Sequence, residues 1–398
     1  MSDLPEGWVE TSIREMIALV IDNRGRNPKS YSLKGIPVID NYLIVGERKI
    51  NLLNIKRYIN DNTYSTFIRK HIQKNDVLMT LVGNGYGNVA LAPKEKSVII
   101  QNTVGLRCNS LNDSLFLFYN LCYQKNVIKK LDIGAAQPSI KVGNLLDVVL
   151  RVPKLPEQKA IANILTALDK KIALLQAQNQ TLETLAQTIF KQWFVENTVL
   201  DGESKSIVKL GMFAENITNS VKPIDFSTEV KYIGLEHIER KNIGLSKNGT
   251  GSNVKSNKYK FSEGDILFGK LRPYFHKVCF APYDGICSTD ILVIRPKKQQ
   301  YFGLCLFAFN QKEVVEYAKR GSEGTRMPRT NWKMLSQYLI KLPNDTTIKK
   351  FNSFVVPLIQ KIKLNLSEVE TLTKTRNTLL PKLMSGKTVV KSEKEAEA

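Results

Sequence analysis

The residue types that most often do chemistry are sparse and scattered in this 398-residue chain. Its three histidines, His71, His237 and His276, lie far apart, and no two have the spacing that puts a pair of imidazoles on one helix face for a metal ion. The five cysteines, at 108, 122, 279, 287 and 305, form no CxxC pair and are odd in number. That favours free thiols in a reducing compartment over a disulfide framework or a zinc cluster. There is no GxxxxGK[ST] loop to cradle a nucleotide's phosphates and no GxSxG turn to raise a serine nucleophile. Asn27-Pro28-Lys29-Ser30 does not supply the aromatic-flanked Asn/Asp-Pro-Pro segment that adenine methylation needs. The stretch Gly83-Asn84-Gly85-Tyr86-Gly87 is glycine-rich, but no strand–helix crossover follows, so it reads as a turn between strands. A turn can still offer backbone N–H groups to phosphate.

Loop residues with planar donors or amides are more plentiful, and these are the side chains that contact base edges. In the first half they are Arg24, Arg26, Asn27, Asn84, Tyr86, Gln101 and Asn102; in the second, Lys270, Arg272, Tyr274, His276, Arg326 and Arg329. The stretch from Gly269 to Lys277 interleaves cations with aromatics, and Arg326 and Arg329 flank Pro328 near an expected helix start, where phosphate binding is common. Singly, each residue also has an ordinary reading as solvated surface. As a set they accord with the charge balance: 58 Lys and Arg against 37 Asp and Glu give a formal net charge of +21. A balance this basic points to nucleic acid ahead of a membrane surface or an acidic protein.

The elements that must position these loops come in two copies. Runs at Ile36–Ile39, Asp76–Thr80, Val98–Ile100 and Val104–Arg107 read as strands, and Leu115–Lys130 as helix. About 190 residues on, Tyr232–Leu235 answers Ile36–Ile39, Asp265–Phe268 answers Asp76–Met79, and Ile291–Pro296 answers Val104–Arg107. Two long heptad stretches repeat at the same interval. The first places Ile161, Leu165, Leu168, Ile172, Leu175, Asn179, Leu182, Ala186, Ile189 and Trp193 on one seam. The second places Phe351, Val355, Leu358, Ile362, Asn365, Val369, Leu372, Arg376, Leu379 and Leu383. Each helix would be on the order of 60 Å long at ~1.5 Å per residue. Asn179 and Asn365 would fix register; Arg376, hard to bury unpaired, points to solvent or another protein at that end. Phe190, Trp193 and Phe194 read as core in preference to a docking surface.

The expected fold class is therefore α+β: two similar mixed α/β globular domains separated by two long antiparallel coiled-coil helices, in a pseudo-two-fold internal repeat. The boundaries are a first domain over 1–154, a long helix over 155–198, a second domain over 199–343, a second helix over 344–386 and a charged, disordered tail over 387–398. Two basic heads on a rod suit two half-sites on one face of a DNA duplex, with the rod setting their separation.

This pattern resembles the specificity (S) subunit of type I restriction–modification enzymes. The resemblance spans nearly the whole chain. It rests on Leu4-Pro5-Glu6-Gly7-Trp8, on Leu155-Pro156-Glu157-Gln158-Lys159-Ala160-Ile161, on Gly264–Phe268 followed by Lys270-Leu271-Arg272-Pro273, and on Leu380-Pro381-Lys382-Leu383-Met384-Ser385-Gly386. The second copy departs at Leu342-Pro343-Asn344-Asp345, where the first has a Pro-Glu-Gln helix start, and it lacks the Leu-Pro-Glu-Gly-Trp opening. The resemblance implies that each domain reads one half of a split, asymmetric DNA sequence. It also implies that the paired helices set the gap and bind two methylation subunits. Those partners would bring S-adenosylmethionine, and a motor–nuclease subunit would bring ATP and Mg; the chain itself would hold no metal, no cofactor and no catalytic residue. Two other classes stay open: an enzyme with an unfamiliar site, which requires activity of the chain alone, and a free-standing sequence-specific or architectural DNA binder, which requires tight binding without partners. The opening MSDLPEGW has no signal-peptide character and no stretch reaches ~18 apolar residues, so a cytoplasmic protein is expected.

Overall fold

The computed structural model describes residues 4–134, 136–196, 206–322 and 327–390. Residues 197–205, at the expected end of the first long helix and start of the second domain, and the part of the expected tail beyond 390 lie outside them. The chain divides into two compact units. One joins Met1–Lys170 to Thr373–Ala398, and the other is Lys171–Leu372.

In the first unit, Ile17–Ile21, Thr103–Cys108, Val77–Thr80 and Val89–Leu91 form an antiparallel sheet in that order. A second sheet runs Tyr58–Ile59, Ile36–Ile39, Val98–Ile99, the last pair parallel. Val9–Ser12 pairs with Val149–Val152. Val77–Thr80 is buried along its whole length, which is why it reads as a continuous apolar run without alternation. Asp113 caps the helix Ser114–Tyr123 by accepting from Phe116 N–H at 2.9 Å, and the helix buries Phe116, Leu117 and Phe118.

The second unit repeats this plan. Ala214–Ile217, Ile291–Pro296, Ile266–Gly269 and Val278–Phe280 take the same order in an antiparallel sheet. Lys231–Ile233 pairs in parallel with Gly285–Cys287, and Ser206–Lys209 with Leu339–Leu342 in antiparallel. A buried ion pair is repeated too. Asp76 takes Arg107 in a bidentate grip at 3.0 and 2.8 Å and also accepts from Gln73 N–H. Asp265 holds Arg295 at 2.7 and 2.8 Å and accepts from Ser262 N–H. Each pair ties the start of one central strand to the end of its neighbour, and with its hydrogen bonds satisfied it escapes the penalty of a lone buried charge.

The long helices are Leu155–Phe190, which continues as a wide turn over Lys191–Val195, and Asp345–Met384. Buried Gln158 locks the first helix start: its Oε1 accepts from Asp113 N–H and its Nε2 donates to Pro153 O, both at 2.9 Å. The second helix runs through Pro357 and Pro381, each costing it one backbone hydrogen bond.

Within each unit the two helix segments are antiparallel and complete the core. In the first unit, Ile161 and Leu165 join Trp8, Leu383 and Met384 in one buried cluster, with Leu379 packed against it. Arg376 is not the loose end that its seam position suggests. It pairs with Asp169 at 2.8 Å, and Asp169 also accepts from the Tyr119 hydroxyl at 2.7 Å, so the half-buried guanidinium has an acidic partner. In the second unit, fully buried Asn365 donates to Asn179 Oδ1 and Gln178 Oε1, each at 2.8 Å, a polar layer that penalises any shift of register. Phe190, Trp193 and Phe194 surround Phe351 as core, with ring centroids 5.8, 6.0 and 4.8 Å from it. Ile172, Leu175 and Ile362 are buried, whereas Leu168, Leu182, Ile189, Leu358 and Leu372 are half-buried.

Glu183 is the exception in this apolar stripe. It is 3% exposed, and its Oε1 accepts from Ile243 N–H at 3.1 Å and Gln187 Nε2 at 2.9 Å. Burial pushes its carboxyl up from 4.5 to about 7. A raised folded-state value means that the native state favours the neutral acid. Its contribution is fully present below about pH 4.5 and is lost as pH rises through about 7. Glu183→Gln keeps the acceptor and removes the charge. The variant is expected to match the parent near pH 4 and to exceed it at pH 8 by on the order of 1–3 kcal/mol. Denaturant melts at the two pH values measure this; a gap that does not widen with pH contradicts it.

Candidate nucleic-acid interface

Strand register gathers the candidate loops of each unit at one end of its antiparallel sheet. Thr80 sits opposite Thr103, and Ile21 opposite Gly105. The loops that leave Ile21 and Thr80, and the Gln101-Asn102 turn that enters Thr103, therefore share that end. In the second unit Gly269 faces Ile291 and Ile217 faces Val293, which places the Lys270–Lys277 loop correspondingly. The Asp–Arg pairs sit at the opposite end.

The two sheet ends are built on one backbone frame. Leu81 N–H donates to Asn102 O at 2.7 Å, and Lys270 N–H to Asp290 O at 2.8 Å. Gly83 N–H reaches Pro138 O at 3.0 Å, and Arg272 N–H reaches Pro328 O at 2.8 Å. Ile140 N–H returns to Leu81 O at 3.0 Å, as Thr330 N–H does to Lys270 O at 3.2 Å. Val82 bridges Ser139, and Leu271 bridges Arg329.

Two positions in this frame are left-handed. In the first unit glycines fill them, Gly83 at φ 92° and Gly87 at φ 76°. In the second, Arg272 and His276 do so, both at φ 51°. A side chain there costs about 1–2 kcal/mol, and such outliers gather where a site requires a particular group.

The frame presents different side chains in the two units. In the first, exposed Asn84 and Gln101 flank the turn, and Asn102 is itself left-handed at φ 61°. A Cβ on Gly83 would lie 3.1 Å from Gln137 Nε2 and 3.6 Å from Asn41 Nδ2, so two more amides stand against this glycine. Tyr86 packs on the core under Lys129, whose Nζ is 5.1 Å from the ring. On the neighbouring loop Arg24 is held by Asp22 at 2.6 Å, Arg26 lies over the Phe67 ring at 5.6 Å, and Asn27 is exposed.

In the second unit the Arg272 guanidinium has no hydrogen bond or ion pair among the described residues. Arg329 Nε is held by Asp290 Oδ1 at 3.1 Å. Lys270 lies near Asp290 and Cys287, and burial lowers its ammonium from the ordinary lysine value. Tyr274 is exposed and edge-on to Phe275. His276 is turned inward, its Nε2 2.9 Å from both Asn310 O and Asn310 Oδ1. Arg326 lies outside the described residues. The helix after Arg329, Trp332–Leu335, is a single turn capped by Asn331, too short to offer a developed anion site. Sequence reasoning missed Asn41, Gln137 and Asp290. Each reaches the site through a contact distant in sequence, which local spacing does not reveal. Among the described residues no group of three His, Cys, Asp or Glu is placed to hold a metal ion. No described helix is long and apolar enough to cross a membrane.

By class this is a duplicated α+β protein, whose two units carry matched loop frames with different polar side chains. A family model described as the type I restriction modification DNA specificity domain matches residues 5–184 and again 205–374, and the chain belongs to this family. The MjaIX specificity subunit of a type I restriction enzyme from Methanocaldococcus jannaschii is 25% identical over 328 residues, covering 76% of this chain and 74% of its own. The MjaVIII specificity subunit from the same organism is 24% identical, covering 84% and 85%. The crystal structure of a type I restriction–modification S subunit from M. genitalium shares the fold, with a TM-score of 0.65 at 17% identity over 96% of this chain and 97% of that one. The function of this chain is recognition of the DNA target as a specificity subunit, a non-catalytic role.

Replacing Arg272 by glycine relieves the left-handed strain and removes the free guanidinium. The variant is expected to unfold about 1 kcal/mol later than the parent while binding DNA more weakly. Melting curves together with fluorescence anisotropy on genomic fragments at fixed salt test both halves; a variant that is less stable and binds unchanged contradicts this.

Proposed function

We propose that each unit reads one half of a bipartite, asymmetric DNA target. The observation that carries this reading is the shared backbone frame at the two sheet ends, conserved in its hydrogen bonds and divergent in its side chains. Identical frames dock alike, and unlike side chains read unlike sequences.

The paired helices set the gap between half-sites and dock two methylation subunits. The continuous helix lengths and the Asn365 layer, which resists slippage, support a spacer of fixed length. S-adenosylmethionine would reside on the methylation subunits, and ATP and Mg on a restriction and translocation subunit, with the assembly in the cytoplasm. The chain's own residues bind and orient the DNA.

The test is a genome-wide map of N6-methyladenine in cells that express this chain with its methylation subunit, against cells lacking the chain. A split motif with a fixed gap is the expected result. An assembled complex that adds no methylation would instead favour a free-standing DNA binder. Deleting one heptad from each long helix together is expected to shorten the gap, and an unchanged gap in a folded variant contradicts the spacer. Affinity for the motif is expected to fall steeply with salt, by about 10³-fold or more between 50 and 200 mM, as many phosphate contacts require. A flat salt profile contradicts that.

A further inference from the structure

At the frame position held by Gly83 in one unit and Arg272 in the other, the two units differ in the kind of donor they present. Around Gly83 the side chains are neutral amides: Asn41, Asn84, Gln101 and Gln137, none with a hydrogen-bond partner among the described residues. At the matching place in the second unit stand two guanidinium groups, Arg272 and Arg329, with one carboxylate, Asp290.

The geometry of the arginines is selective. Asp290 engages Arg329 through Nε at 3.1 Å, so among the described residues both terminal nitrogens of that guanidinium remain as a two-pronged donor. The bridge between Leu271 and Arg329 brings the backbone of the next residue, Arg272, alongside this segment, with Arg272 N–H fixed on Pro328 O at 2.8 Å. The left-handed φ of 51° sets the direction in which the Arg272 side chain leaves the frame. A fork of N–H donors matches the O6 and N7 acceptors that guanine shows in the major groove. An amide, with one donor and one acceptor, matches N6 and N7 of adenine.

We infer that the second unit reads guanine through Arg272 and Arg329, with Asp290 as a positioning residue for Arg329, and that the first unit reads adenine through the amides around Gly83. This rests on the bipartite-target reading and adds the base chemistry of each half-site.

The experiment maps N6-methyladenine in cells expressing the full chain with its methylation subunit, as parent and as Arg272→Lys, Arg329→Lys, Asp290→Asn and Gln137→Leu. Lysine keeps the charge for phosphate but lacks the fork. Each lysine variant is expected to lose about tenfold to a hundredfold of the preference for guanine at one position of one half-site, leaving the other half-site unchanged. Asp290→Asn, with both arginines intact, is expected to relax the same guanine as Arg329→Lys, which a merely structural residue would not do. Gln137→Leu is expected to relax an adenine in the other half-site. If the parent methylates a split motif but the positions relaxed by the lysine variants are not guanine, or no position relaxes in assembled complexes, the inference is overturned and the bipartite reading stands. If the parent shows no split motif, both fall. Should a lysine variant fail to assemble, Asp290→Asn decides: relaxation at guanine supports the inference, and an unchanged motif overturns it.

Discussion

A helix with a single apolar stripe cannot be stable alone in water, and both units depend on burying two such stripes. The first unit's cluster holds Ile161 and Leu165 from one long helix and Leu383 and Met384 from the other. The second unit's holds Ala186 and Phe190 together with Ile348, Phe351 and Val355. The four-stranded sheet of each unit is thus backed by a pair of helix segments. Two polar contacts refine what the apolar stripes begin. Asp169 with Arg376, and Asn179 with Asn365, discriminate against neighbouring registers that hydrophobic packing alone would tolerate.

On this support the sheets act as stands for variable loops. The Asp–Arg pairs brace one end of each sheet, and the hydrogen-bonded frame around residues 81–83 and 270–272 shapes the other. Because the frame is made of backbone groups, its side chains can change without dismantling it. The first unit meets the left-handed requirement with glycine, and the second meets it with arginine and histidine. Histidine is then stabilised by Asn310, whereas the Arg272 guanidinium has no hydrogen bond or ion pair among the described residues to offset the strain. That difference sets Arg272 apart among the loop residues.

Much of this architecture was legible in the sequence. Heptad spacing announced both long helices, since a stripe sustained over dozens of residues admits no strand reading. The second copies of the strand segments exposed the duplication. The partner of Arg376 was hidden because a seam position does not name it; Asp169 is about 200 residues away in the chain. The parallel pairing of Val38 with Val98 was equally hidden, since nothing local in a short apolar run names its neighbour. At the loops, residue type singled out arginines and amides, but His276 was indistinguishable from a surface residue until Asn310 was seen against it. Asp290 and Gln137 were hidden for the converse reason, being ordinary turn residues until folding carried them to the frame.

The first unit is assembled from the two ends of the chain, whereas the second is one continuous stretch from Lys171 to Leu372. A ribosome working from the N-terminus therefore finishes the second unit's sequence while the first still lacks Leu383 and Met384. Domains tend to fold as units once their residues have emerged, and contacts that close long loops form late. The order of maturation is thus inverted relative to the order of synthesis: the later-made Lys171–Leu372 can settle first, and the segment before it waits for the turns around Leu383 and Met384 before its own core is closed.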